Sequence, residues 1–160
     1  MAPIVTTLDI ARAPDEVFAV ATDPTRFPQW QADVMRVETD QPVPLPVGAR
    51  FTTVRRIGRV ERAVTQHVAE VARPYRWVAR SETGPIRPSA SIDIEPIDGG
   101  AASRVTFALD FAGHGVGVAL LPLVRRQTRH GAPVSYRRLK QLLESGRAGQ
   151  RDGQRLADST

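Results

Sequence analysis

The chain has no cysteine among its 160 residues, which excludes a disulfide scaffold, a thiol nucleophile and cysteine-bound zinc. Lysine is almost absent, Lys140 being the only one, and aromatic residues make up 6% of the chain. The longest apolar run reaches only from Val116 to Val124, well short of the ~20 residues that cross a bilayer as a helix. The N-terminus shows neither the basic start nor the apolar stretch of a signal peptide, so a cytoplasmic protein is expected. Arginine, by contrast, is abundant and gives a net charge of +5. It is spread over every segment rather than gathered, which argues for solubility and against a nucleic-acid partner. The 41% hydrophobic and 24% charged residues are ordinary for one globular domain.

Residues 4–10 place Ile4, Leu8 and Ile10 on one face, a half-buried strand. Pro14 suits the first position of a helix, where its missing N–H costs nothing, and Asp15 and Glu16 suit the positive helix end. Asp23-Pro24 repeats the start signal, and Pro28 is expected to cut the second helix short with Phe27 and Trp30 facing inward. Residues 34–39 read as a strand, and the proline-rich 40–48 as a loop. Further strands are expected near 49–58, 60–72, 75–83, 88–96 and 102–112, joined by links too short for crossover helices. They form an antiparallel meander.

Alternation assigns Val105, Phe107, Leu109 and Phe111 to one face, but in 60–72 both faces are mixed and the inward one stays open. A helix is expected over 117–144, with Leu120, Leu121, Val124 and Thr128 on one face and a kink or break at Pro133. The domain is expected to span 1–145, and 146–160 to be a disordered tail.

Several groups invite chemistry. Gly113-His-Gly115-Val-Gly117 stands between a strand and a helix, but without a phosphate-loop spacing it reads as a glycine hinge. His67, His114 and His130 lack metal-ligand spacing, and neither a metal nor another cofactor is expected. Asp93 and Glu95 alternate with isoleucines, which reads as a solvated face rather than an acid/base pair. Arg125, Arg129 and Lys140 fall within roughly 60° on a helical wheel, a stripe that either meets solvent or contacts a membrane surface. Arg55 shares its strand parity with Phe51, Thr53 and Ile57. A buried guanidinium without a partner is costly, so it pairs with a carboxylate, meets a ligand anion or escapes to the rim.

The combination of Ala13-Pro14-Asp-Glu-Val17-Phe18, Thr22-Asp23-Pro24, Phe27-Pro28-Gln-Trp30, Val47-Gly48-Ala-Arg-Phe51, Ile57-Gly58-Arg59, Glu95-Pro96, Gly99-Gly100, Arg104-Val-Thr106 and Leu139-Lys140-Gln-Leu-Leu-Glu144, in this order, resembles the polyketide cyclase/dehydrase and lipid-transport family of the START/SRPBCC superfamily. The resemblance covers about residues 4–145. It implies an α+β helix-grip fold: a curved seven-stranded antiparallel sheet, two short helices, and a long C-terminal helix closing a cavity.

The function that follows is binding of a hydrophobic or amphipathic small molecule such as a lipid, terpenoid or polyketide. The alternatives are a cyclase, aromatase or dehydratase acting on a polyketide-like substrate, and a membrane-peripheral lipid carrier using the basic helix; the oligomeric state stays open. The expected lining is Trp30, Phe51, Val64, Trp77, Ile92, Phe107 and Leu109 from the front of the chain and the sheet, and Leu120, Leu121 and Val124 from the helix. Arg55, Gln66, Ser81 and Thr128 are its candidate polar groups.

Overall fold

A computed structural model of the chain describes the backbone of residues 2–157 and the side chains of residues 2–146. Strand β1 (Ile4–Ile10) leads into α1 (Pro14–Ala21), a 3-10 turn (Pro24–Arg26) and α2 (Phe27–Trp30). Strands β2 (Val34–Thr39), β3 (Arg50–Ile57), β4 (Val60–Ala72), β5 (Arg76–Arg80), β6 (Ile86–Ile97) and β7 (Ala102–Gly113) follow, then α3 (Gly117–Ala157). The sheet is seven-stranded in the order β1-β7-β6-β5-β4-β3-β2. Every pairing is antiparallel.

Local chemistry explains the element starts. Pro14 occupies the first turn of α1 with Asp15 and Glu16 beside it. Asp23 caps the 3-10 turn by accepting from the Thr25 N–H at 3.0 Å. Pro28 opens α2 rather than ending the helix before it, because the first turn of a helix needs no donor from it.

A bulge between Val68 and Glu70 explains why strand 60–72 shows no clean alternation. Before it Gln66 and Val68 are buried and Val64 is half-buried; after it the parity moves to Val71, which pairs with Trp77. One extra residue exchanges the two faces of a strand.

Helix α3 packs against β7, β1, β6 and α2. Its buried stripe is Arg125, Ala132, Ser135, Tyr136, Leu139 and Leu143. Of the kink or break expected at Pro133, the break does not occur: the helix runs through it. Pro133 and Arg129, whose carbonyl loses its usual donor, are both exposed, so water can replace the missing bond. The disorder expected over 146–160 falls outside the residues whose side chains are described, although helical backbone is traced to Ala157.

Residues 140–144 of α3 are latched to the end of β1. Glu144 Oε1 accepts from the Ala11 N–H at 3.0 Å and pairs with Lys140 at 3.0 Å. Lys140 Nζ also donates to the Asp9 carbonyl, and Arg12 Nε donates to the Leu143 carbonyl at 2.8 Å. Burial raises the pKa of Glu144, but the Ala11 N–H and Lys140 outweigh it and hold the carboxyl below its ordinary value. A carboxylate depressed on folding adds stability above its unfolded pKa and loses it as the pH falls through the folded one. Glu144→Gln should therefore be less stable than wild type at neutral pH, and the gap should close below about pH 4. Urea titrations of both proteins across that range check this; a gap that persists in acid would mean that the charge is not what the latch uses.

Candidate functional site

The concave face of the sheet is floored by aromatic rings. Phe27 meets Trp30, Phe51 and Trp77 edge-on at centroid distances of 5.6, 6.0 and 6.4 Å. Phe51 stacks on Trp77 at 6.1 Å, and Phe107 stacks on Tyr136 of α3 at 4.0 Å, with Trp30 tilted against both. Trp30 and Trp77 thus belong to one cluster joined through Phe27. Ile92 and Ile94 are buried beside it.

Burial of the interior face is graded along α3. Tyr136, Leu139 and Leu143 are buried, whereas Leu121, Val124 and Thr128, two to four turns nearer the helix start, are only half-buried. In the sheet, Val64, Leu109 and Arg55 are half-buried too. These three sheet residues come from the end where β3 turns into β4 and β7 turns into α3.

Arg55 stands at that end. Its Nη1 donates to both carboxylate oxygens of Asp33 at 3.2 and 3.0 Å, and its Nη2 donates to Gln31 Oε1 at 2.9 Å. Of the three fates open to it, pairing with a carboxylate is the one observed, and the pair is only partly covered. Its charge also acts on Tyr136: burial pushes the phenol above its ordinary pKa and Arg55 opposes that rise. The phenol therefore stays protonated at neutral pH and is available as a donor.

Three interior polar groups stand out. Trp30 Nε1 and Thr53 Oγ1 are buried with no hydrogen-bond partner among the described residues. Gln66 is buried too. A buried donor without a partner costs about 1–3 kcal/mol. By contrast, Thr128 Oγ1 donates to the Val124 carbonyl at 2.9 Å and Ser81 Oγ to the Thr83 carbonyl at 3.3 Å, so both hydroxyls are engaged locally.

Trp30, Phe51, Gln66, Trp77, Ser81, Ile92 and Phe107 are buried, and Arg55, Val64, Leu109, Leu121, Val124 and Thr128 are half-buried. Leu120 is the exception, 42% exposed. The stripe of Arg125, Ala132, Tyr136 and Leu139 sets which side of α3 turns inward, and Leu120 lies about 100° around the helix from Leu121. Thr53 and Tyr136 escaped the sequence reading as site residues. Carrying the helical period of Leu139 and Leu143 back by one turn finds Tyr136.

The basic stripe on α3 is also corrected. Arg125 is buried, donating to Asp110 Oδ1 at 3.2 Å and to the Ala2 carbonyl, and Lys140 serves the latch. Of the three, only Arg129 is exposed. Elsewhere, Asp93 accepts from Arg76 Nη1 at 2.7 and 2.8 Å. His114 and His130 are exposed and His67 is half-buried; among the described residues no group of three His, Asp or Glu side chains could hold a metal. No described helix is long and apolar enough to cross a membrane.

A profile of the polyketide cyclase/dehydrase and lipid-transport family matches residues 1–144. Among solved structures, the Zhui aromatase/cyclase of a Streptomyces species superposes with a TM-score of 0.73 at 14% identity, covering 89% of this chain and 93% of that one. A START superfamily protein of Mycobacterium smegmatis gives 0.68 at 16% identity, over 89% and 99% of the two chains. The di-domain ARO/CYC BexL gives 0.69 at 16% identity over 90% of this chain, which spans 47% of that one. At such identities the likeness is one of fold. No curated protein matches the chain.

Proposed function

The chain belongs to the polyketide cyclase/dehydrase and lipid-transport family, and on that premise we propose that it binds an amphipathic small molecule bearing oxygen functions, in the interior between the sheet and α3. The observation that carries this reading is the pair of partnerless polar groups, Trp30 Nε1 and Thr53 Oγ1, inside an aromatic enclosure. A ligand oxygen could accept from the indole N–H, and the Thr53 hydroxyl could serve a second one. The rings would take the rest of the molecule. Removing about 300 Å² of apolar ligand surface from water yields roughly 7 kcal/mol before the costs of association. Micromolar affinity therefore needs no reaction chemistry. Binding is favoured over turnover because the cation at the β3–β4 end of the sheet, Arg55, is already neutralised by Asp33 at 3.0 Å.

In this reading Arg55 is the charged anchor at the rim, shared between Asp33 and an anionic ligand group. Two probes separate its charge from the apolar contacts: anilinonaphthalene sulfonate and its uncharged analogue phenylnaphthylamine. Both should perturb the emission of Trp30 and Trp77 together, and a Trp→Phe change at either should leave the other ring responsive. Arg55→Met should weaken the sulfonate about tenfold to a hundredfold while sparing the neutral probe. Asp33→Asn, which frees the guanidinium, should strengthen the sulfonate. Equal losses for both probes would remove Arg55 from the site; tryptophan emission indifferent to both would remove the interior site itself.

A further inference from the structure

The outward side of α3 combines exposed arginines with exposed aliphatic side chains. From Gly117 to Leu143 the helix contains no acidic residue. Arg126, Arg129, Arg137 and Arg138 are all exposed along it. Branched aliphatic side chains stand among them in water: Leu123 is 58% exposed, Leu120 42% and Val134 37%. The helical period puts Leu123, Arg126, His130, Val134 and Arg137 on one side, opposite the buried stripe of Ala132, Tyr136 and Leu139. At 1.5 Å per residue the strip from Leu120 to Arg138 is about 27 Å long. Gly131 leaves a shallow hollow in it, walled by Leu123, Arg126, Gln127 and His130.

We propose that this face of α3 docks on an anionic lipid surface, with Leu123 and Val134 entering the boundary between headgroups and acyl chains and the arginines meeting lipid phosphates and carboxylates. Charge complementarity and the aliphatic content select this occupant together. A nucleic-acid backbone rewards the arginines but gives nothing for exposing Leu123. A second copy docked by the same face about a two-fold axis sets arginine against arginine. An anionic bilayer uses both, since interfacial binding grows with buried apolar area and with cationic charge. The inference does not depend on any interior ligand.

The test is co-flotation of the full chain with vesicles of phosphatidylcholine alone or mixed with phosphatidylserine, at low and at high salt. Binding is expected to the mixed vesicles at low salt and to fall at high salt. Arg126→Ala and Arg137→Ala should each weaken it about fivefold. Leu123→Ser should weaken it about tenfold or more while leaving thermal unfolding and the interior probes unchanged. No association with mixed vesicles at low salt would overturn the proposal. So would association that Leu123→Ser leaves intact, which is bare charge attraction, or tighter binding to an oligonucleotide. A vesicle-independent dimer abolished by Leu123→Ser would assign the face to a second copy instead.

Discussion

Gly117→Ala is expected to destabilise the protein by about 3 kcal/mol or more, because among the described glycines an added methyl group meets its nearest neighbour most closely there. A Cβ at Gly117 would stand 1.8 Å from the Pro85 carbonyl oxygen and 2.5 Å from its carbon. The obstacle is backbone, and it is tethered, because the same oxygen accepts from the His114 N–H at 2.9 Å. To make room, either the β5–β6 loop or the start of α3 must move. Gly131→Ala is the matched control in the same helix. Nothing lies within 4 Å of its new methyl, and replacing a mid-helix glycine should stabilise by about 0.5–1 kcal/mol. Denaturant unfolding of both variants measures the difference. Similar values for the two would mean that the close approach of α3 to the β5–β6 loop is not what orients the helix.

Phe51→Ala should cost about 3–5 kcal/mol, and with about 2–4 °C per kcal/mol for a chain of this size the unfolding temperature should fall by about 6–20 °C. Phe51 is 1% exposed, stacked on Trp77 at 6.1 Å and met edge-on by Phe27 at 6.0 Å. Its removal takes away one wall of the cluster that carries both tryptophans. Tyr75→Ala, at a ring 54% exposed, should change stability by less than about 0.5 kcal/mol. Calorimetry of the two variants is sufficient. A cost below about 1 kcal/mol at Phe51 would show that the floor is loosely packed, with its rings held by ligand contacts rather than by one another.

The strands and most of their limits were legible because strand grammar is local. Alternation placed Val105 and Phe107 inward, and the turn glycines marked where the chain reverses. Arg55 was legible as a problem, since its parity put a guanidinium beside Phe51 and Thr53. Its solution was not, because Asp33 lies on another segment and only the pairing of β2 with β3, which sets Val34 opposite Arg55, brings the two within 3.0 Å. Strand 60–72 resisted for a physical reason: the bulge at Val68/Glu70 reverses parity midway, and a bulge depends on pairing with the neighbouring strand. Leu120 and Arg125 were misplaced together. Both errors come from reading the face of α3 from its first turns alone, without the stripe of Tyr136, Leu139 and Leu143 that anchors its rotation.

The order of elements, the antiparallel sheet, the glycine hinge and the inward faces of β1, β3, β6 and β7 were legible in the chain alone, because propensity, period and turn chemistry act over a few residues. The rotation of α3, the partner of Arg55, the isolation of Trp30 Nε1 and Thr53 Oγ1, and the side of the helix left facing water emerge only from packing. Each of these depends on groups far apart in sequence competing for the same space, and that competition is resolved only when the helix has closed on the sheet.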